Sequence, residues 1–431
     1  MRRAAALAES VGGRVVTTAN GTYVRRETEV AAGHINRVRL AALPGQPPVD
    51  APLVCLDTET TGLATASGTL AFLVGLGWWD DGALRIVQLL LPDHADEPAL
   101  LDAIADALPP EAWLVTYNGK GFDWPLLVAR FRLARREPPR PGGHLDLLGH
   151  VRGLFRHRLD DARLQTVERQ LLGLTRIGDV EGWEIPGRYL GFLQTDRADA
   201  LIDVVDHNQA DVASLAGLLR HIDGQLGDPA VRHSAPTGDL VGLARAFRRV
   251  ARDADALACY DAALHRMPSA PAPVALPAAP RSFSRPLPAW TRGVFGARVP
   301  ARIDSIRGDP LAPTPDRVRS ERARLLRRMS RDTEALAAWE AIAAVGGRPA
   351  AVAFIEIAKL HEHRFRDVPA ALEAVASAER LVLRTRMLGR PIAVLELDLR
   401  TRRRRLMARL ERAARRSARP RDLLAQSAAN G

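Results

Sequence analysis

The chain has 431 residues, of which 47% are hydrophobic and 26% charged. That is room for about two or three domains, and the composition excludes a disordered, collagenous or disulfide-stapled protein. The net charge of +11 is divided unevenly, with 24 Lys+Arg against 30 Asp+Glu in residues 1–235 (−6) and 37 against 20 in residues 236–431 (+17).

No stretch approaches the ~18 apolar residues of a membrane span. The start, MRRAAALAES, lacks the apolar stretch of a secretory leader, so a cytoplasmic location with no membrane partner is expected. Cys55 and Cys259 lie too far apart to form a zinc cluster, and no disulfide is expected between them. Lys120 and Lys359 are the two lysines of the chain. The basicity is therefore arginine, which suits either phosphate recognition or a compositional bias toward Ala, Arg, Gly and Pro.

In chain order, residues 1–50 mix short β-like stretches such as Gly21 to Val30 with the Pro-containing Pro44 to Pro48, and read as a loosely packed N-terminal extension. Apolar runs follow: LVCLDTET, TLAFLVGLGWW and, after the Asp80-Asp81-Gly82 turn, ALRIVQLLL. Asp-Gly between two such runs predicts a hairpin. A helix is predicted near Glu97 to Leu108, a strand in AWLVTYN, a helix from Asp123 to Arg136 and a strand in HLDLL at 144–148. Helices follow to about residue 222, with a Gly/Pro interruption near Gly182 to Gly187. These elements make residues 51–225 a mixed α/β sheet domain.

Beyond a Gly/Pro break at 224–238 the pattern is all-helical, at 239–267 and 316–431, with a Pro-rich linker at 268–315. RRVARDADALACYDAAL from Arg248 is echoed by RRMSRDTEALAAWEAIA from Arg327 and more weakly by RFRDVPAALEAVASAE from Arg364. Leu336 and Leu372 are 36 positions apart, near the period of helix-pair repeats, and the segments resemble tetratricopeptide-type repeats. Such a surface is a candidate site for a protein partner.

Four acidic positions invite a chemical reading. Asp57 and Glu59 are two apart at the end of the first apolar strand and so share a face; like charges repel there unless cations intervene or the strand end is solvated. Asp123 opens a helix, where an Asp commonly caps free N–H groups. His207 and Asp211 are i and i+4 on a helix, a pair usually met as a plain hydrogen bond.

Together, LDTETTGL, NGKGFDWP and HNQADVASL resemble, in order, the three motifs of the DEDD exonucleases. NGKGFDWP is similar to the second motif of the proofreading domain of family B DNA polymerases. HNQADVASL, with HLDLL and RIGDVEGWEIP, resembles the YprB family of predicted RNase H-like exonucleases. The resemblance covers about residues 50–225.

It implies an RNase H-like fold and two divalent ions, Mg²⁺ or Mn²⁺, held by Asp57, Glu59, Asp123 and Asp211. It further implies metal-dependent hydrolysis of DNA or RNA from a 3′ end. Paired ions of this kind sit ~3.5–4 Å apart, and hard cations take oxygen ligands. His207 would orient or deprotonate the water. One departure concerns this residue, because it stands four positions before Asp211, where the family's tyrosine variant stands, while Asp206 fills the slot of the family's histidine. Gly62 and Leu63 would lie beside the terminal nucleotide, with Asn118, Lys120 and Phe122 on the second side. The competing expectation is a non-catalytic scaffold that binds nucleic acid or protein, for which loss of a metal carboxylate would be the mark.

Overall fold

The aliphatic runs become strands because alternate side chains find apolar cover on both faces. A computed structural model describes residues 1–40, 43, 45–62, 68–80, 82–267, 313–387 and 393–417. It divides into two units, Met1–Cys259 and Tyr260–Gly431, and the division falls within the helix Asp253–Arg266.

The first unit is built on a seven-stranded mixed sheet in the order β1-β2-β5-β4-β3-β6-β7. The strands are β1 (Arg14–Thr18), β2 (Gly21–Ala31), β3 (Leu53–Thr60), β4 (Ala71–Asp80), β5 (Ala83–Leu90), β6 (Trp113–Thr116) and β7 (Gly143–Asp146). β3, β6 and β7 run parallel and the remaining pairs are antiparallel. This is the RNase H-like arrangement expected for residues 51–225. The β4–β5 hairpin closes with Asp80 paired to Ala83 and Gly82 at φ 87°, a positive value that glycine tolerates. HLDLL divides, its Asp146 ending β7 and capping the helix Leu147–Phe155 through the Leu148 N–H at 3.1 Å.

Residues 1–50 are not a loose extension. Ala4, Leu7, Ala8 and Val11 are spaced as one helical face, and the helix Arg2–Val11 buries all four. β2 then pairs with β5 from Val24↔Leu90 to Ala31↔Ala83. Gly21 to Val30 reads as β-like in the sequence, but its partner does not: Arg25, Arg26, Glu27 and Glu29 give the stretch an exposed look, while Tyr23 and Val24 are buried and the strand lies along β5.

Strand alternation sorts the sheet into two faces. Val54, Leu56, Val74, Leu76 and Val87 enter a core shared with Leu100 and Ile104 of the helix Glu97–Ala107 and Leu127 and Phe131 of the helix Asp123–Leu133. On the other face, Asp57 is paired with Gly75 and Cys55 with Gly77, and the long helix Ile202–Gly227 lies across β3, β4 and β5. The glycines permit that approach, since a Cβ at Gly75 would fall 2.3 Å from Asn208 Oδ1 and one at Gly77 2.8 Å from a Val212 methyl.

The second unit is helical, with Pro315–Arg328, Asp332–Val345, Gly347–Leu360, Val368–Met387 and Ala393–Ser417 each packed on the next. Ala335 and Ala371, equivalent in the similar segments, are both fully buried, as small residues at a close helix contact should be. Trp339, Ile342 and Ile357 fill the core. Of the Pro-rich linker, residues 268–312 lie outside the described residues, as do 418–431 of the basic end. Cys55 and Cys259 are both buried free thiols. Among the described residues no helix is long and apolar enough to cross a membrane.

Candidate active site

β3 changes character along its length. Leu53 to Leu56 are buried, whereas Asp57 to Thr60 are only partly so, and the polar end opens into a recess between sheet and long helix. Here the structure brings together Asp57 and Glu59 from β3, Asp123 from the start of its helix, and His207 and Asp211 from the long helix. The side chains of Glu59, His207 and Asp211 are 12, 10 and 16% exposed, low enough to be largely desolvated and open enough for an ion or water to reach them.

Neighbouring groups hold each carboxylate. Asp123 is not the helix cap, because the N-cap position is Phe122 and carries no side-chain cap bond. It accepts instead from the Thr58 hydroxyl at 2.5 Å, which ties the second motif to the first. Asp57 accepts from Asn208 Nδ2 at 2.9 Å. The Asn208 amide is set in turn by Gln88 Nε2, which donates to its Oδ1 at 2.9 Å, and Gln88 Oε1 accepts from Arg26 at 2.8 Å. A buried chain of hydrogen bonds therefore runs from β2 to Asp57, and the N-terminal strands help build the site.

His207 Nε2 lies 3.9 Å from Glu59 Oε1 and 3.7 Å from Asp211 Oδ2. Its Nδ1 is 2.7 Å from Asp179 Oδ1. Asp206, in the alternative histidine slot, points away to Arg26 at 3.2 Å and is 60% exposed, so the unusual spacing still delivers His207 to the carboxylates.

Two residues beyond the three motifs enter the site from the loop ahead of the helix Ile185–Thr195. Arg176 pairs with Asp211 and Glu168 and contacts Asp179 at 3.2 Å. Asp179 also accepts from Gln165 Nε2 at 3.1 Å and from the Val180 N–H at 3.0 Å. Both belong to RIGDVEGWEIP, where the sequence offered a resemblance but no spacing rule that would assign them chemistry. Asn208 carried a signal in retrospect: it follows His207 at the position that turns toward the glycine-lined strand β4.

On the second side, Asp146 organises the loop before Asp123. Its carboxylate accepts from the Asn118 N–H at 2.9 Å and the Lys120 N–H at 3.1 Å, and Asn118 takes φ 68°. The Lys120 side chain is exposed and Phe122 is 53% exposed. Gly62 follows β3 and its carbonyl accepts from the Thr60 hydroxyl at 2.7 Å. Leu63 lies outside the described residues.

The electrostatics are those of an under-compensated acidic recess. Burial, then the charges of Asp211 and Asp123, push the Asp57 carboxyl well above its usual range. Burial, then Asp57, Asp211 and Asp123, do the same to Glu59. Asp123 is raised by burial, which the Thr58 bond only partly offsets. Asp179 feels the same burial, but the hydrogen bond and charge of His207, with Arg176, more than reverse it and hold that carboxyl low. Among these described residues Arg176 pairs with Glu168, Asp179 and Asp211 and its charge acts on Asp57, while Glu59 is surrounded by other carboxylates, so negative charge dominates.

Such a set fits a hard divalent cation, which prefers oxygen donors and would relieve the repulsion. Ligand atoms of Glu59, His207 and Asp211 come within 4.8 Å of one another, and Asp57 and Asp123 act on the same charges.

The model of the RNase H superfamily matches residues 54–223. "Uncharacterized protein YprB" of Bacillus subtilis (strain 168) is 39% identical over 176 residues, 40% of this chain and 42% of that protein. The chain thus spans less than half the length of the curated relative it matches, and β1 and β2 precede the matched family segment. Together the sheet order, the carboxylates at the end of β3 and this match make residues 54–223 an RNase H superfamily domain.

Proposed function

We propose that the chain is a metal-dependent nuclease that hydrolyses phosphodiester bonds of single-stranded DNA or RNA from the 3′ end, with Asp57, Glu59, Asp123 and Asp211 as ligands of two divalent ions. The observation that carries the reading is the convergence of these carboxylates, three of them held above their usual range, beside a histidine in a recess with too little positive charge of its own. A fold hosts many functions and does not name one; the chemistry of this donor set is what points to phosphate.

Bound Mg²⁺ or Mn²⁺ would supply the charge that eases deprotonation of a water and stabilises the leaving 3′ oxygen. The protein's part is positional. Thr58 orients Asp123 and Asn208 orients Asp57. His207 Nε2 faces the space between Glu59 and Asp211, where it would orient or accept a proton from the attacking water. Gly62 and Leu63 are assigned to the terminal nucleotide. Asn118, Lys120 and exposed Phe122 would line the second side, with the phenyl ring offered for base stacking.

Digestion of end-labelled single-stranded DNA and RNA with Mg²⁺ or Mn²⁺ tests the proposal. Metal charge is worth several kcal/mol in such reactions, and about 1.4 kcal/mol is tenfold, so Asp57→Ala or Asp123→Ala should slow digestion by at least about 100-fold. Unchanged digestion by either variant sinks the metal assignment. A wild-type chain that binds both substrates and digests neither favours the scaffold reading.

A further inference from the structure

We propose that Asp179 is a positioning residue: it fixes His207 in one orientation and one tautomer, with the proton on Nδ1 and the Nε2 lone pair presented to Glu59 and Asp211. The idea rests on the nuclease reading for its catalytic consequence but not for its geometry.

The argument begins with donors and acceptors. An ionised carboxylate can only accept hydrogen bonds, so the 2.7 Å contact between Asp179 Oδ1 and His207 Nδ1 requires the proton on Nδ1. In a neutral imidazole the other nitrogen is then a bare acceptor. Nε2 is 3.9 and 3.7 Å from the nearest oxygens of Glu59 and Asp211, too far to donate to either. Those gaps leave room for a group bound between them, a water in the proposed reaction.

Asp179 is itself immobilised. Its Oδ1 also accepts from the Val180 N–H at 3.0 Å, and its Oδ2 accepts from Gln165 at 3.1 Å and contacts Arg176 at 3.2 Å. Arg176 Nη1 stands 3.3 Å from His207 Nδ1. It would compete for that nitrogen only in the opposite tautomer, because two donors cannot bond each other. The shorter carboxylate contact and the Arg176–Asp179 pair make one consistent network, in which Arg176 serves Asp179 and Asp179 serves His207. A base oriented by a third group is the general arrangement for activating a nucleophile. Here the loop 174–184 supplies that group, and it explains how a histidine at the tyrosine's spacing can be held in a working pose.

The test uses the full-length chain with ¹⁵N-labelled histidine. The His207 signals are those lost in His207→Gln. Under conditions where the ring's own ¹⁵N signals report a single proton on it, wild type should show that proton on Nδ1 and an unprotonated Nε2. Asp179→Asn keeps the side-chain volume but offers an NH₂ group to Nδ1, and should move the proton to Nε2. In the same variant turnover of labelled single-stranded substrate should fall about 100-fold, the scale of acid–base assistance, with KM within about twofold, as for an interaction made in the transition state. Asp179→Glu should restore the Nδ1 proton and part of the rate, which a merely structural role would not do. A wild-type Nε2–H tautomer overturns the proposal, as does an Asp179→Asn variant that keeps the wild-type tautomer or, where wild type digests the substrate, the wild-type turnover. Since the tautomer is read without turnover, a chain that digests nothing but shows the switch retains Asp179 as the positioning residue and defeats only the nuclease reading.

Discussion

Asp57 in the sheet domain and Glu362 in the helical unit are both carboxylates withdrawn from water, and their surroundings differ in sign. Glu362 has a side chain 1% exposed, and Arg402, Arg405 and Arg409 of the last described helix reach it at 2.9, 2.7 and 3.4 Å. Burial raises its pKa, but the Arg405 hydrogen bond and the charges of Arg405, His363 and Arg402 outweigh burial, and the carboxyl is held low. Asp57 receives a neutral amide from Asn208 and faces other carboxylates. A buried acid closed by arginines is a structural tie, whereas one left short of cations is a place for something to bind. The contrast also revises the meaning of the basic half, where arginines that the sequence could assign to phosphate are engaged with Glu362, Glu379 and Glu396.

The comparison can be strained from both sides. Removing one partner of a buried ion network typically costs about 3–5 kcal/mol. Glu362→Ala, which leaves buried Arg402 only its longer 3.5 Å contact with the half-exposed Asp398, should therefore lower stability by about that much in a denaturant titration. A loss below about 1 kcal/mol, the scale of an exposed pair, would break the contrast. Next in size is Gly75→Val. Overpacking of this kind costs about 1–3 kcal/mol and would push Asn208 away from Asp57, so stability and digestion should fall together.

The smallest effect has the opposite sign. Asp57→Asn removes an uncompensated charge and keeps the shape, and in chelator it should raise stability by about 1 kcal/mol, or about 2–4 °C in Tm. The pH dependence follows from the directions of the shifts. Because the folded Asp57 carboxyl titrates above its ordinary 3.8, its ionisation penalty is absent below that value, grows as pH rises toward the folded pKa and is complete above it. The advantage of Asp57→Asn should shrink as the solution is acidified through that window. The stabilisation from Glu362, whose folded pKa lies below its ordinary 4.5, is complete above 4.5 and lost as pH falls through the folded value.

Which side chains share a face was legible in the sequence because strand and helix periods are simple, and it was the resemblance of the three motifs that joined them into one candidate site. A spacing of two puts Asp57 and Glu59 on one face, a spacing of four puts His207 and Asp211 on another, and the Asp80–Gly82 turn announced its hairpin. What stayed hidden depends on partners distant in the chain. Asn208 meets Asp57 across 151 positions only because Gly75 and Gly77 let the long helix settle on the sheet. Asp179 and Arg176 come from a loop without periodicity, whose placement is set by ion pairs rather than by apolar pattern. The N-terminal helix was missed and β2, though read as a β-like stretch, was not placed in the sheet, because its role there shows only once β5 offers an edge to pair with.

Calorimetric titration with Mn²⁺ tests the central claim most directly, because it asks whether the under-compensated carboxylates hold a cation and needs no knowledge of the substrate. Wild type should bind Mn²⁺, and Asp57→Ala, Asp123→Ala and Asp211→Ala should each weaken binding by at least about tenfold, or about 1.4 kcal/mol, while Glu362→Gln leaves it unchanged. Wild type that binds no Mn²⁺, or binding that survives loss of Asp57 and Asp123, would contradict the account.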